Sequence, residues 1–378
     1  MKSNKRRKFI SDSLKVASGI LMAGTVFPGK TAARSIQPVK KLGVALCGLG
    51  EFATDSIAPE IPYSRYVTLT GVITGDPDGK GKEWARKYGF PEKNIYHYDQ
   101  MANMKDNPDI DFVHVVTPNG LHAEHTIAAA RAGKHVMCEK PMATRSEDCK
   151  KMIQECSKAG VLLGVDYRLH WEPHHLRMME LSGSKTYGDV KSIVTDFSWS
   201  RGDYKPWLLD LELAGGGAFF DTGVYTIQAG CYLTGENPVR VTALSNSTRS
   251  VYSPEIEETM SALFEFPNGV VMSARASYAY NHDCCLVNAE NGTFSGEGWF
   301  FAQSVNGKPV PRSIKLPDDK AFQVDGTLQL AMLHDAFAKA IMNQTPFRTP
   351  GEMGLRDILI TEAVYRSAAG GKKVEIKY

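Results

Sequence analysis

The sequence predicts two lobes: an α/β domain with a parallel sheet, then an α+β domain with a large, open and mostly antiparallel sheet. Two observations predict this. From Lys41 to about Gly164, short apolar runs alternate with stretches whose apolar residues recur at helical spacing. After Tyr167, several strand-like runs follow, and the stretch near the C-terminus is again helical. We therefore expect domains at 42–166 and 167–378.

Composition agrees with two ordinary globular domains. The chain has 378 residues, of which 43% are hydrophobic and 23% charged, enough for two cores of about 100 to 200 residues. The 44 Lys and Arg nearly balance the 42 Asp and Glu, so no overall field attracts nucleic acid. The seven cysteines are odd in number and include no Cys-x-x-Cys pair, which argues against a disulfide framework and against a zinc site.

Residues 1–33 predict an export signal. Arg6-Arg7 and Phe9-Ile10 precede a modestly apolar run, Val16–Phe27, in the layout of a twin-arginine signal. That run is too short and interrupted for a membrane span, which needs about 20 apolar residues. We expect cleavage after Ala33, a short N-terminal arm at 34–41 and a periplasmic protein. A disordered basic tail is the alternative.

The first domain follows a strand–helix alternation. Such alternation implies right-handed crossovers and a parallel sheet covered on both faces. The predicted strands are Leu42–Cys47, Thr68–Ile73, Phe112–Val116, His135–Cys138 and Val161–Val165. The predicted helices are Lys80–Tyr88, His122–Ala132 and Ser146–Ala159.

The second domain is rich in strands. The turns Pro267-Asn-Gly269 and Glu290-Asn-Gly292 are typical of hairpins. The predicted strands are Val190–Trp199, Val239–Ser247, Thr259–Phe266, Gly269–Ala276, Leu286–Ala289 and Gly292–Glu297. Two amphipathic helices, Gln329–Ile341 and Gly351–Ala368, are expected to pack back on the first domain.

The open sheet also predicts self-association. We expect one strand surface to carry Phe197, Trp199 and Phe264, and an apolar surface of that size would be left in water in a monomer. The prediction is a homodimer or a higher homo-oligomer.

The segment Gly48-Leu-Gly50-Glu-Phe-Ala53 follows the first strand directly. Gly48 permits a tight turn, Gly50 allows close approach of a pyrophosphate, and Ala53 replaces the third glycine where helix meets strand. Backbone N–H groups and the positive end of the following helix then face the anion. The first domain is therefore predicted to be a Rossmann dinucleotide-binding domain.

The end of the second strand favours NADP over NAD. The strand ends at Thr74-Gly75 rather than at a carboxylate, and Lys80 follows. Because Asp76 and Asp78 lie in the same segment, NAD remains an alternative cofactor. The lysines could also belong to a solvated helix face and bind no cofactor.

Two later strand ends carry candidate site residues. Pro118, Asn119 and His122 follow the third strand, and Asn119 is a candidate for the nicotinamide ribose or for a helix cap. Glu139-Lys140-Pro141 ends the fourth strand, and a lysine there can bind a substrate hydroxyl.

An acid and a phenol follow the triple glycine Gly215–Gly217. Asp221 and Tyr225 are four residues apart, so that they share one helix face. With Lys140 they predict an enzyme that transfers a hydride. Taken singly, Lys140 is also typical of an exposed surface lysine. An aspartate and a tyrosine at this spacing are also typical of a pair that caps and packs a helix.

These segments resemble the Gfo/Idh/MocA oxidoreductases, and among them the periplasmic glucose-fructose oxidoreductases, in which a tyrosine stands at the position of Tyr225 where many members carry histidine. The resemblance covers nearly the whole chain from about Leu42. It rests on residues 119–124, 134–143, 167–168, 212–217, 221–225 and 350–354.

The resemblance implies a role for each residue. Tyr225 would donate and accept the proton, with Lys140 and Asp221 beside it and Tyr278 facing a sugar. The predicted cofactor-binding set is Gly48, Leu49, Gly50, Glu51, Phe52, Thr74, Gly75, Lys80, Tyr98, Pro118, Asn119, His122, Glu139, Lys140, Arg168 and Trp207.

The implied activity is NADP-dependent oxidation of an aldose at C1 to its lactone, with re-reduction of a second sugar such as fructose. Two alternatives stay open: an NAD-dependent glycoside hydrolase on the same fold, and a non-catalytic dinucleotide sensor.

Overall fold

The computed structural model describes residues 40–201, 206–297, 312–317, 321–324 and 327–378. All of them belong to the unit Val39–Tyr378. The predicted export signal lies outside the described residues, as does the predicted arm except for Lys40 and Lys41.

The first sheet is parallel throughout and has the strand order β3-β2-β1-β4-β5-β6. This is the order of a dinucleotide-binding fold, and it reverses between β1 and β4. Continuous apolar runs such as Leu42–Cys47 are buried along their whole length because helices cover both faces. The six strands are β1 Leu42–Cys47, β2 Val67–Ile73, β3 Ile95–Tyr96, β4 Phe112–Val115, β5 His135–Glu139 and β6 Leu163–Asp166.

Helices connect these strands. The segment after β1 is irregular: a π-helical turn, Ala53–Ile57, leads into α1 and then into a 3-10 turn, Ile61–Tyr63. Further helical turns are Pro77–Gly81, Glu92–Asn94, Tyr98–Met104, Asn119–Leu121 and Arg168–Trp171. The α-helices of this part are α1 Ala58–Glu60, α2 Lys82–Tyr88, α3 His122–Arg131, α4 Ser146–Ala159 and α5 Pro173–Gly183.

In the described part of the chain, the second sheet has nine strands in the order β14-β13-β12-β11-β7-β10-β9-β8-β15. Of these strands, β7 and β10 pair in parallel, and the other neighbours are antiparallel. The strands are β7 Val190–Ser198, β8 Arg240–Asn246, β9 Thr259–Glu265, β10 Val271–Ser277, β11 His282–Ala289, β12 Gly292–Glu297, β13 Arg312–Lys315, β14 Ala321–Val324 and β15 Val374–Glu375. The predicted fold class is confirmed.

The remaining helices lie between and after these strands. A 3-10 turn, Pro206–Leu209, precedes α6, and a π-helical turn, Phe219–Gly223, leads into α7. The α-helices are α6 Leu211–Ala214, α7 Val224–Thr234, α8 Gln329–Asn343 and α9 Gly351–Gly370.

Most differences from the predicted elements are at their ends. The last strand of the first sheet runs Leu163–Asp166 rather than Val161–Val165, and β11 begins at His282 rather than Leu286. The prediction missed β3 and β15, of two residues each, and β13 and β14, of four residues each. Such short strands are defined by their neighbours rather than by a pattern of their own.

The C-terminal helices contribute to two apolar clusters. Leu333 and Phe337 of α8 lie in the cluster that contains Val44 and Leu46 of the first sheet. Ile358 and Val364 of α9 lie in the larger cluster, which includes residues of both sheets. The helices therefore pack on the first sheet as well as on their own domain.

The prediction that Phe197 and Phe264 lie on an exposed face of the second sheet is wrong. Both rings point inward and are 4% and 0% exposed. Strand side chains alternate between faces, so the neighbour of a buried aromatic is the one exposed, as Leu263 is at 53%. Large apolar side chains on the outer face are Val194, Leu244, Leu263 and Val271.

Within the described residues, each helix is too short or too polar to cross a membrane.

Gly217 is the tightest point of the triple glycine. A Cβ there would lie 2.0 Å from the Glu257 carbonyl oxygen and 2.5 Å from its nitrogen, which are backbone atoms with little freedom to move. We expect Gly217→Ala to lower the free energy of unfolding by about 1–3 kcal/mol or more.

The matched control is Gly183→Ala at the end of α5, where no described atom lies within 4 Å of the added Cβ. This variant should keep or slightly raise stability, since alanine is the better helix former. Urea unfolding of both variants checks the prediction, and equal midpoints would contradict it.

Candidate active site

A cavity of about 310 Å³ opens at the carboxyl edge of the first sheet, where the turn after β1 faces the start of α7. Ligands of open parallel sheets bind at this edge, where the strand order reverses. The predicted site residues that line it are Glu51, Phe52, Asn119, His122, Glu139, Lys140, Arg168, Trp207, Asp221 and Tyr225. The prediction missed Asp55, Ser56, Val116, Thr117, Phe197, Trp199, Arg201 and Thr222 as lining residues.

The glycine turn has the geometry that a dinucleotide requires. Gly48 adopts a φ of +96°, and a Cβ there would lie 2.9 Å from a Thr117 methyl carbon. At Gly50, in contrast, no described atom lies within 4 Å of an added Cβ. The space above Gly50 is therefore open to a ligand, and Ala53, fully buried, packs the following turn against the sheet. The residues present fit a pyrophosphate.

The end of β2 presents a lysine rather than a free carboxylate. The Asp76 carboxylate accepts hydrogen bonds from the backbone of Lys80 and Gly79, and these bonds lower its pKa. Asp78 pairs with Lys82 at 2.8 Å. The Lys80 ammonium donates to the Leu49 carbonyl, so its charge lies beside the glycine turn.

Three other predicted cofactor residues lie together outside the cavity lining. Gly75 approaches Tyr98, since a Cβ on the glycine would be 3.5 Å from the ring. Tyr98 stacks on His125 with centroids 4.7 Å apart, and burial raises its pKa to about 12. Thr74 accepts a hydrogen bond from the Asp76 backbone. Their role in cofactor binding stays a prediction.

Asn119 and His122 hold the turns around the cavity. Asn119 Nδ2 donates to the carbonyl of Ala214, the last residue of α6, at 2.8 Å. His122 Nδ1 lies 2.9 Å from the Pro141 carbonyl oxygen, and Nε2 lies 2.7 Å from that of Thr117. Burial lowers the pKa of His122 to about 4. The imidazole thus joins the turns that follow β4 and β5, while Pro118 begins the intervening 3-10 turn.

Lys140 connects the first sheet to the start of α7. Its ammonium donates to the Asp221 carbonyl oxygen at 2.9 Å and to Oδ1 at 3.3 Å, and lies 4.8 Å from the centroid of the Tyr225 ring. Burial opposes its charge, but Tyr225 and Asp221 together raise the pKa of Lys140. The three predicted residues therefore converge, and the lysine stays a cation.

Asp221 has cations on both sides. Arg201 Nη2 lies 2.7 Å from its Oδ2, opposite the contact with Lys140. Burial raises the pKa of Asp221, but the two cations outweigh burial and hold it well below its usual range. Asp221 is therefore an ionised residue that orients its neighbours, not a proton carrier.

Tyr278 does not line the cavity, contrary to the expectation that it faces a sugar. Its side chain is 1% exposed, and its hydroxyl donates to Asp221 Oδ2 at 2.9 Å. Tyr278 therefore contacts the Asp221 carboxylate from outside the cavity lining.

Tyr225 is enclosed by charged and aromatic groups. Arg168 hydrogen-bonds its side chain and lies 5.3 Å from the ring centroid, while Phe197 packs edge-on at 5.3 Å. Gln329 accepts a 2.6 Å hydrogen bond from Arg168 and fixes the guanidinium. Negative charge that develops on the phenol oxygen would thus lie beside two cations, Lys140 and Arg168.

Glu139 borders the cavity but turns its carboxylate toward the sheet. The Lys140 backbone donates to its Oε2 at 3.3 Å. Its Oε1 lies 3.4 Å from His114 Nε2, in a cluster that also contains Asp166. Burial raises the pKa of Glu139 and of Asp166.

Two tryptophans and an arginine form the outer wall. Trp199 is 41% exposed and stacks on the Arg201 guanidinium at 4.3 Å, and Trp207 lines the cavity from the following segment. Flat aromatic faces of this kind pack against sugar rings or nicotinamide. The signal for Trp199 and Arg201 was their place at the end of the predicted strand Val190–Trp199, where Trp199 is the last residue and Arg201 follows two residues later.

Comparisons with known proteins identify the family of the chain. The family model described as "Oxidoreductase family, NAD-binding Rossmann fold" matches residues 42–167, and the "GFO/IDH/MocA C-terminal domain" model matches residues 175–295. A 1,5-anhydro-D-fructose reductase of Ensifer adhaerens is 30% identical over 311 residues, which is 79% of this chain and 88% of the reductase. The chain belongs to the Gfo/Idh/MocA oxidoreductase family.

Two further relatives are similar over most of their length. The crystal structure of an aldose-aldose oxidoreductase from Caulobacter crescentus, complexed with glycerol, has a TM-score of 0.83 and 34% identity, and the match covers 89% of this chain and 100% of that one. A D-xylose 1-dehydrogenase [NADP(+)] of Haloarcula marismortui is 24% identical over 86% of this chain and 90% of its own.

The open space at Gly50 leads to a test of cofactor binding. Gly50→Ala should keep the unfolding midpoint, because its Cβ meets no described atom, but should weaken NADP binding by about tenfold or more, since only the ligand occupies that space. Binding is measured by fluorescence titration.

Gly48→Ala is the matched variant. It should lower stability itself, because the +96° φ and the contact with Thr117 strain any side chain. Unchanged NADP affinity in Gly50→Ala would contradict the placement of the pyrophosphate.

Proposed function

We propose that this protein is an NADP-dependent sugar oxidoreductase, which oxidises an aldose at C1 to its lactone and returns the hydride to a second sugar such as fructose. The observation that carries the proposal is the meeting of Lys140 with Tyr225, 4.8 Å from ammonium to ring centroid, in a cavity beside the glycine turn.

The chain's own residues account for the proton chemistry. A nicotinamide held beside the glycine turn would supply the chemistry of hydride transfer, first as acceptor and then as donor. Tyr225 takes the C1 hydroxyl proton as the carbonyl of the lactone forms, and in the return reaction it protonates the new alkoxide. Lys140 and Arg168 stabilise negative charge at the phenol and at the sugar oxygen.

Asp221 keeps this arrangement in place. It binds the Lys140 ammonium on one side and the Arg201 guanidinium on the other. Arg201 and Trp199 in turn form a wall against which a sugar can pack. The charged groups are thus positioned before the substrate arrives, which lowers the cost of reorganisation.

The relatives support the substrate class. The names of the proteins similar to this chain specify an aldose-aldose oxidoreductase, a xylose dehydrogenase and an anhydrofructose reductase. Each of these names contains a sugar or a sugar derivative, and the first names two aldoses, which supports the return of the hydride to a second sugar.

We infer NADP rather than NAD from the end of β2. Asp76 is occupied by backbone hydrogen bonds, and the Lys80 ammonium lies at the glycine turn, where it can meet a 2′-phosphate. The xylose dehydrogenase relative is named for NADP as well.

We also propose periplasmic export by the twin-arginine route. The support is the Arg6-Arg7 pair with Phe9-Ile10 in the N-terminal sequence. All seven cysteines are free thiols, as a protein that folds in a reducing compartment before export requires.

The activity is tested by the absorbance of reduced nicotinamide. Purified protein with NADP should gain this absorbance on addition of glucose or xylose and lose it on addition of fructose. No change with any aldose, while NADP is bound, would overturn the proposal. Release of nitrophenol from an aryl glycoside would favour the glycoside hydrolase instead.

Tyr225→Phe separates catalysis from binding. Loss of the phenol oxygen should reduce turnover by about 10²–10⁴-fold and keep NADP affinity. Tyr232→Phe in the same helix is the matched control, because its hydroxyl contacts His175 away from the cavity. Full activity in Tyr225→Phe would favour a non-catalytic or differently catalysed role.

We further propose a homodimer through the outer face of the second sheet. Leu244 and Leu263 are 73% and 53% exposed on neighbouring strands, and Val194 and Val271 extend the apolar surface. Burial of this surface against a second copy would remove it from water.

Leu263→Glu tests the dimer. A charge in the centre of the proposed interface should convert a dimer into a monomer in light scattering. Met332→Glu, an exposed apolar position on α8, should leave the dimer intact. A monomeric parent protein, or a dimer that tolerates Leu263→Glu, would show that this face is not the interface.

A further inference from the structure

Three polar side chains meet inside the first domain, behind the cavity. His114, Glu139 and Asp166 lie on three neighbouring parallel strands, β4, β5 and β6. Met137 pairs with His114, and Glu139, two residues on, pairs with Asp166, so the three side chains share one face of the sheet. They are 0%, 7% and 1% exposed.

Among the described residues, no group outside the cluster forms a hydrogen bond with His114 Nε2, Glu139 Oε1 or either carboxylate oxygen of Asp166. Within the cluster, the carboxyl groups of Glu139 and Asp166 are close enough to hydrogen-bond each other, but two carboxyl groups can do so only when one of them is protonated. Buried polar atoms without partners are costly and rare, and each one requires an explanation.

The spacing of these atoms is that of a coordination shell. His114 Nε2 lies 3.4 Å from Glu139 Oε1 and 3.4 Å from Asp166 Oδ2. Well-formed hydrogen bonds to oxygen usually measure about 2.7–3.2 Å, whereas two ligands at about 2.1 Å from a tetrahedral metal are about 3.4 Å apart. One ligand atom from each residue lies within 4.8 Å of the others.

We propose that His114, Glu139 and Asp166 form a binding site for one divalent metal ion of the zinc class. One imidazole nitrogen and two carboxylate oxygens are ligands that zinc accepts, and two carboxylates balance the charge of a divalent ion. Spacing along the sequence does not indicate this site, because each ligand comes from a different strand.

A second histidine supports the first. His114 Nδ1 lies 3.1 Å from Nε2 of His334 in α8, which is 0% exposed. A metal-bound histidine characteristically has its outer nitrogen held by a second group, which orients the ring. His334 is the group that contacts the outer nitrogen of His114, and through it α8 packs against the proposed site.

The metal would act on structure. It would join the carboxyl ends of β4, β5 and β6 and hold Glu139, whose Oε2 accepts a hydrogen bond from the Lys140 backbone. It would thereby support the turn that presents Lys140, without contact with substrate.

Metal content tests the site independently of activity. Full-length protein expressed with added zinc, then desalted, should contain stoichiometric zinc by mass spectrometry, and cobalt-loaded protein should show visible d–d absorption. Asp166→Asn should lose both signals, and His334→Ala should weaken zinc affinity by about 10–100-fold. His175→Ala removes an equally buried imidazole elsewhere and should keep them.

Zinc contents that are low and equal in the parent and in Asp166→Asn, with no cobalt absorption, would overturn the proposal and indicate that a shared proton occupies the cluster. If Asp166→Asn does not fold, as judged by near-UV circular dichroism, the comparison of His334→Ala with His175→Ala decides. Equal zinc affinity in those two variants would contradict the site.

Discussion

The contact between Lys140 and Asp221 is the interaction on which the site depends. Lys140 ends a strand of the first sheet, and Asp221 lies in the π-helical turn before α7, so one ion pair connects the two lobes at the cavity. Both groups are largely buried. Buried ion pairs contribute little to stability overall, but loss of one partner leaves an uncompensated charge. Such a pair therefore specifies geometry more than it adds stability.

The surroundings of this pair show how the geometry is maintained. Arg201 and Tyr278 both hydrogen-bond to Oδ2 of Asp221, so the two carboxylate oxygens are held from opposite sides. On the other side, His122 joins the Pro141 carbonyl to the turn after β4, directly behind Lys140. Tyr225 thus meets a lysine that is held from both lobes, which is the preorganisation that proton transfer requires.

Backbone close to the site departs from regular helix. π-helical turns occur after the glycine turn and directly before α7, at Ala53–Ile57 and Phe219–Gly223. Single π-helical turns are frequent at functional sites, since they displace one residue from the regular helical face. Asp221 lies in the second of these turns. The four-residue spacing between Asp221 and Tyr225 therefore does not by itself give the position of Asp221 relative to the regular face of α7.

The sequence by itself determined the fold class, the glycine turn and the residues at the strand ends, because each depends on local periodicity and on backbone conformations that few residues adopt. It also indicated Lys140, which directly follows a strand, and Asp221 and Tyr225, which lie a few residues after the triple glycine.

Only the tertiary structure decided which face of each long strand is buried, as at Phe264 and Leu263, since alternation alone cannot distinguish the two faces of an isolated strand. It also decided that Tyr278 lies behind Asp221 and that Arg201 lines the cavity. It brought His114, Glu139 and Asp166 close together. These are contacts between residues distant in sequence, and they form only when separate elements pack together.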